Sequence, residues 1–169
     1  MSPRDRERTD ADYVDYVRLR LPWLRRVALL LSRDAHRADD LVQVAITQLY
    51  VHWRRIRDLD NLDGYARTVL VRVYLGERRK WASRVTLRPE VPDVPVEPAD
   101  HAGRLAIHQA LAGLAPRQRA TLVLRFYCDL TVDQTADTLG CSPGTVKSQT
   151  SKGLDTLRRA LDSQAHERS

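Results

Sequence analysis

The chain has 169 residues, 30% of them charged and 43% hydrophobic, which suits one ordinary folded domain or two small ones and excludes a disordered or fibrous class. Its longest apolar run, VALLL (Val27 to Leu31), is far too short to span a bilayer, and MSPRDRERTDAD has no apolar core of a secretory signal, so a cytoplasmic protein without membrane partners is expected. Two cysteines exclude a disulfide framework, and the net charge of +6 favours a polyanionic partner.

Almost every segment carries helical periodicity. A first helix is expected from about Asp12 to Ser32, with Tyr13, Val17, Leu21, Leu24, Ala28 and Leu31 at three- and four-residue steps and Pro22 kinking or splitting it. A second spans about Ala35 to Ile56, N-capped by Asp34; Leu41, Val42, Ala45, Ile46, Leu49, Trp53 and Ile56 form its apolar stripe. A third follows DLDN and runs to about Trp81. Leu62, Ala66, Val69 and Val73 make one face, whereas Val71 and Leu75 fall opposite and are expected to be exposed. Three such helices can close a small bundle core.

The chain then divides near residues 88–101. The segment PEVPDVPVEP places Pro89, Pro92, Pro95 and Pro98 at three-residue steps, the period of an extended polyproline helix. Twelve such residues could hold two bodies roughly 35 Å apart. Residues 1–88 carry 19 basic and 12 acidic groups, 89–103 carry 0 and 4, and 104–169 carry 9 and 6, so two basic blocks flank an acidic seam. That seam is either a plain solvated linker or a strip suited to a basic channel on a partner. All but three of the 28 basic residues are arginine, which an arginine-biased genome alone would also produce.

Four shorter helices are expected in the second block, at about 101–113, 116–128, 132–139 and 143–161. Pro116 suits a first helical position, Thr131 and Gln134 match a capping box, Gly140 terminates one helix and Ser142–Pro143 starts the last. No strand pattern competes, so the fold class is all-α: two small helical domains joined by an acidic, proline-rich linker. Two short helices around a glycine turn are the helix-turn-helix pattern, whose second helix enters the DNA major groove. On that helix Val146, Thr150, Leu154, Leu157 and Leu161 fall on one side. Ser142, Gly144, Thr145, Lys147, Ser148, Gln149, Ser151 and Lys152 occupy the other side and its flanks, and no acid lies between Ser142 and Lys152. Small residues permit close approach, the lysines suit phosphates, and Gln149 can pair bidentately with adenine.

These motifs together resemble the extracytoplasmic-function sigma factors, the small two-domain members of the sigma-70 family, over nearly the whole chain. RADDLVQVAITQLY (Arg37 to Tyr50) looks like the docking helix of region 2, and DNLDGYARTVLVRVYLGERRKW (Asp60 to Trp81) like its promoter-melting part. LAGLAPRQRATLVLRFYCDLTVDQTADTLGCSPGTVKSQTSKGLDTLR (Leu111 to Arg158) is similar to region 4. The resemblance implies region 2 over 10–88, a linker over 89–103 and region 4 over 104–163. It implies core RNA polymerase and promoter DNA as partners, and an anti-sigma factor such as family members commonly have. Region 4 would read the minus-thirty-five duplex through the eight residues above. Region 2 would melt the minus-ten element and hold its non-template strand through Arg57, Asn61, Tyr65, Arg72, Arg78, Arg79, Lys80 and Trp81, cations and aromatic faces being what single-strand capture requires. Asp39, Asp40 and Gln43 would meet the polymerase, although as acids near a helix start the aspartates also suit the helix dipole.

Three positions depart from the family. Val44 stands where an acid is common, Val73 where asparagine is common, and Gln149 where many relatives have arginine, which predicts a shift from guanine toward adenine in the minus-thirty-five preference. No catalytic constellation is present, so no enzymatic activity, cofactor or metal is expected: Cys128, Cys141, His101 and His108 match no familiar zinc spacing. Cys128 reads as a core residue; Cys141 reads equally as a small buried residue or an exposed thiol. The competing reading is a stand-alone helix-turn-helix regulator, since LTVDQTADTLGCSPGTVKS also resembles the output domain of response regulators. For Val71 and Leu75 two explanations stand: a surface masked by an anti-sigma partner, or packing against the first helix.

Overall fold

A computed structural model describes residues 1–84 and 101–167, with the backbone alone for 77–84 and 101–105. The element order is α1 (Pro3–Ser32), α2 (Ala35–Ile56), α3 (Leu62–Arg84), α4 (His101–Ala112), α5 (Pro116–Leu122), a π-helical turn (Val123–Tyr127), α6 (Val132–Leu139) and α7 (Pro143–Glu167). Among the described residues there is no strand, and no helix is long and apolar enough to cross a membrane. Most of the acidic linker lies outside the described residues.

Helix α1 starts nine residues earlier than its apolar periodicity implies. The cause is local: Ser2 Oγ accepts from the Arg4 backbone N–H, Asp5 accepts from the Ser2 N–H, and Pro3 takes the first helical position, where its missing N–H costs nothing. The helix also runs unbroken through Pro22, which sits on the exposed side. Leu24, Val27, Ala28 and Leu31 follow it directly into the core, and that burial holds the turn that proline weakens. Arg33 in the left-handed conformation then stops α1, and Asp34 caps α2 by accepting from the N–H groups of His36 and Arg37.

The first three helices pack on one another as expected. Tyr13 and Tyr16 of α1 bring their rings to 5.4 Å from Trp53 of α2, and Tyr13 Oη donates to the Ile46 carbonyl at 2.7 Å. The surprise is α3. Ala66, Leu70, Val73 and Tyr74 face the bundle, while Val71, expected outside, is 0% exposed and Leu75 is half-buried against the same core. This second face is closed within the chain itself rather than left open for a partner: α3 packs against α1, as one of the two explanations has it, and also against α5 and α6 of the second block. Ala120, Val123, Leu124, Leu130 and Leu139 belong to one apolar cluster with the bundle residues, and Leu30 of α1 packs on the smaller cluster of Leu111, Leu114 and Leu122. The two blocks therefore share a core.

Arg119 locks this junction. It is 2% exposed, and its guanidinium donates to four carbonyls: Nε to Leu111 at 2.9 Å, Nη1 to Leu31 at 2.9 Å, and Nη2 to Ala112 and Leu114 at 3.2 Å each. A buried charge is tolerable only when its donors are satisfied in this way. Leu31 sits at the C-terminal end of α1, Leu111 and Ala112 at that of α4 and Leu114 just beyond it, where the helix dipole favours a cation.

Candidate nucleic-acid interface

The helix-turn-helix is built as its sequence signals imply. Thr131 Oγ1 accepts from the Gln134 N–H at 3.1 Å, and Gln134 Oε1 accepts from the Thr131 N–H at 3.0 Å, so the capping box opens α6. Gly140 ends it with φ of 65°, a conformation costly for a residue with a Cβ, and the Cys141 N–H returns to the Ala136 carbonyl at 3.1 Å. Ser142 caps α7: its Oγ accepts from the Thr145 N–H at 3.1 Å and lies 2.9 Å from Thr145 Oγ1. Val146 is fully buried, and Gly153 lies so close to α5 that a Cβ there would sit 3.1 Å from Leu122 Cδ1. Val146 packs as its side of the helix implies, Gly153 joins that contact without having been expected to, and Leu161, expected on the packed side, is 40% exposed.

The opposite face of α7 stands open. Ser142, Gly144, Thr145, Lys147, Ser148, Ser151 and Lys152 are exposed and Gln149 is half-buried. Among the described residues neither lysine makes an ion pair, and Asp155 pairs instead with Arg158 at 3.6 Å. Two cations beside small hydroxyl residues, with no acid among them, form a surface that attracts a phosphate backbone and admits base edges.

The residues expected to capture a single strand are only partly assembled. Arg72 is exposed and Tyr65 half-buried on α3. The side chains of Arg78, Arg79, Lys80 and Trp81, on its last turns, lie outside the described residues. Asn61 and Arg57 have structural tasks. Asn61 Oδ1 accepts from the Gly64 N–H at 2.9 Å and its backbone carbonyl from the Tyr65 N–H, so it is the N-cap of α3. Arg57 Nη1 lies 3.3 Å from both Asp12 Oδ2 and Thr9 Oγ1. Val73 is buried in the bundle, which leaves it no surface role.

On α2, Asp39, Asp40 and Gln43 form one exposed face, joined by Val44 at 39% exposure. Asp39 is held by Arg25 Nε at 2.8 Å. Sequence reasoning missed that pairing, and it missed Asp63, which accepts from both Tyr16 Oη and Arg20 Nε at 2.9 Å. Burial, reinforced by this hydrogen bond to Asp63, pushes the Tyr16 phenol far above its ordinary range. Both cysteines are half-buried against the shared core. Burial raises the Cys128 thiol, with the Arg67 guanidinium of α3 opposing. Among the described residues no three His, Cys, Asp or Glu side chains gather as a metal site.

Comparison with known proteins agrees with this geometry. Residues 16–85 match the family model for Sigma-70 region 2, and residues 104–157 match that for Sigma-70, region 4. The RNA polymerase sigma-E factor of Streptomyces coelicolor is 36% identical over 168 residues, covering 93% of each chain. The ECF RNA polymerase sigma factor SigL of Mycobacterium tuberculosis is 32% identical over 145 residues, covering 82% of each. Among solved structures, the sigma factor RpoE in complex with the anti-sigma factor NepR from Bartonella quintana superposes with a TM-score of 0.76. At 26% identity it covers 89% of this chain and 97% of that one.

Proposed function

The chain belongs to the sigma-70 family, as one of its extracytoplasmic-function sigma factors that direct RNA polymerase to particular promoters, and from that premise we propose how its surfaces divide the task. The exposed face of α7 reads the minus-thirty-five duplex, with Lys147 and Lys152 on phosphates and Gln149 favouring adenine. The exposed face of α2, through Asp40 and Gln43 with Asp39 steadied by Arg25, meets the core enzyme. Helix α3 and the loop before it melt the minus-ten element and hold the non-template strand, with Tyr65 and Arg72 as the described contacts and Arg78, Arg79, Lys80 and Trp81 continuing them. Residues 10–88 act as region 2 and 104–163 as region 4. The acidic linker lets the two separate when they engage DNA.

One observation carries this reading: the acid-free, exposed N-terminal half of α7 stands on the same chain as the exposed Asp39, Asp40 and Gln43 face of α2, which suits a protein partner. A regulator that bound duplex alone would need only the first. The protein acts in the cytoplasm, where its polymerase is, and performs no catalytic step of its own. An anti-sigma partner, like the one in the Bartonella complex, belongs to the same proposal.

Run-off transcription on fragmented genomic DNA, with purified core polymerase and with or without this protein, tests the proposal. Specific transcripts that appear only with the protein support it and reveal its promoters. Active core that stays silent while the protein alone binds duplex tightly overturns it in favour of a stand-alone regulator.

A further inference from the structure

Loop 57–61 lies between α2 and α3, and its two ends are tied to one face of α1. Thr9, Asp12, Tyr16 and Arg20 follow at steps of three, four and four residues, so their side chains line a single stripe. At the loop's entrance Arg57 Nη1 reaches Thr9 Oγ1 and Asp12 Oδ2, both at 3.3 Å. At its exit Tyr16 Oη and Arg20 Nε both donate to Asp63 Oδ1 at 2.9 Å. Backbone bonds fix the ends further: the Arg57 N–H donates to the Trp53 carbonyl at 2.9 Å, the Leu59 N–H to Ile56 at 2.9 Å, and the Tyr65 N–H to Asn61 at 3.1 Å. What remains outward is Asp58, Leu59, Asp60 and Asn61, the last with its side-chain oxygen on the Gly64 N–H.

The charges decide what Arg57 does there. Its guanidinium has Asp12 at 3.3 Å and Asp58 at 3.7 Å, two carboxylates around one cation. A phosphate brought to that spot would meet a local excess of negative charge, and at such separations each like-charge contact opposes it even through a high effective dielectric. Arg57 is thus poorly placed to bind a DNA backbone and well placed to hold a loop.

We propose that Asp12, Tyr16 and Arg20 of α1 are positioning residues for loop 57–61, acting through Arg57 and Asp63, and that Arg57 is an anchor of this loop rather than a DNA contact. The inference rests on the reading of that loop as part of the strand-capture surface. A preorganised loop binds its strand without first losing its own freedom, so loosening either tie weakens capture while leaving remote contacts intact.

The test uses holoenzyme assembled from core polymerase and the full chain, with a fluorescent non-template oligonucleotide from the strongest run-off promoter as probe. Arg57→Gln and Asp12→Asn break the same tie from opposite sides, so both should weaken capture by about three- to tenfold, with an unchanged salt slope. Tyr16→Phe and Asp63→Asn should do the same at the other end, while binding of minus-thirty-five duplex and affinity for core stay at wild-type values. If Arg57 instead touches DNA, Asp12→Asn frees it and capture strengthens, and Arg57→Gln flattens the salt slope; that pair of results overturns the proposal. So does wild-type capture in all four variants. Failure of wild-type holoenzyme to bind the oligonucleotide overturns the strand-capture reading itself, and the proposal with it.

Discussion

The Arg119 guanidinium donates from Nη1 to the backbone carbonyl of Leu31, 2.9 Å away and 88 residues earlier in the chain. It is the polar counterpart of the apolar junction between α3 and the second block, and together they make the free protein a closed body. Replacing Arg119 with methionine keeps the volume and removes donors from the carbonyls of Leu31, Leu111, Ala112 and Leu114. The Leu111 carbonyl keeps the Leu114 N–H, but buried acceptors left without partners cost about 1–3 kcal/mol each before relaxation, so a net loss of about 3–5 kcal/mol is expected in denaturant unfolding. Val71→Asp attacks the shared apolar cluster from α3, placing a charge where exposure is now 0%. Since Ala66, Leu70 and Val73 still close the bundle, the expected outcome is retained helicity with a larger radius of gyration in X-ray scattering. An unchanged radius would mean that the junction does not hold the blocks together.

Asn61 and Gly64 form a matched pair. A Cβ at Gly64 would lie 2.4 Å from Asn61 Nδ2, so the cap that folds over α3 requires glycine beneath it. Asn61→Ala should cost about 1 kcal/mol, the usual value of an N-cap, and Asn61→Asp, which keeps the accepting oxygen, should cost little. Gly64→Ala should lose a similar amount by displacing the cap. Thermal unfolding of the three variants measures this. If Asn61→Ala is as stable as wild type, the side chain is free for another role.

The local devices were legible in the sequence because each is a short-range pattern with one physical meaning. Thr131 with Gln134, Gly140, and the stripe from Leu41 to Ile56 all stand where reading by residue put them. Ser2, Pro3 and Asp5 carried a start signal equally plain, but they precede the apolar periodicity and so look like a tail. Val71 and Leu75 were misplaced for a different reason. A helix buried on two sides has apolar residues around most of its circumference, and a wheel drawn for one partner assigns the second face to solvent. Arg119 gives no sequence signal at all, since only the fold brings the carbonyls of α1 and α4 to it. Asn61 was legible in principle: an asparagine just before a helix start is an N-cap before it is anything else.

On α7 the lysines and Gln149 should separate by what they change. Lys147→Ala and Lys152→Ala should weaken binding to all duplexes alike and lower the salt slope by about 1 each. Gln149→Ala should instead relax preference at one base pair, by about 1–3 kcal/mol of discrimination, and Gln149→Arg should turn that preference from adenine toward guanine. Selection of bound sequences from a randomised minus-thirty-five pool reads both. A guanine preference in wild type that Gln149→Ala erases would refute the adenine assignment.

Tyr16 gives the chain a pH dependence with a definite sign. Its phenol, ordinarily at 10.0, is raised in the folded protein by burial and then by its hydrogen bond to Asp63, so the folded state keeps a proton that the unfolded state releases. That contribution is complete below about pH 10 and is lost as pH rises above it. Tyr13 is raised as well, by burial first and by Tyr50 second, and adds to the same decline. Tyr16→Phe removes one share of it: the variant should be less stable than wild type at pH 8, and the gap should narrow between pH 10 and 11. Urea midpoints taken across that range give the answer. A gap that stays constant with pH would mean that the folded protein does not raise the Tyr16 phenol through burial and Asp63.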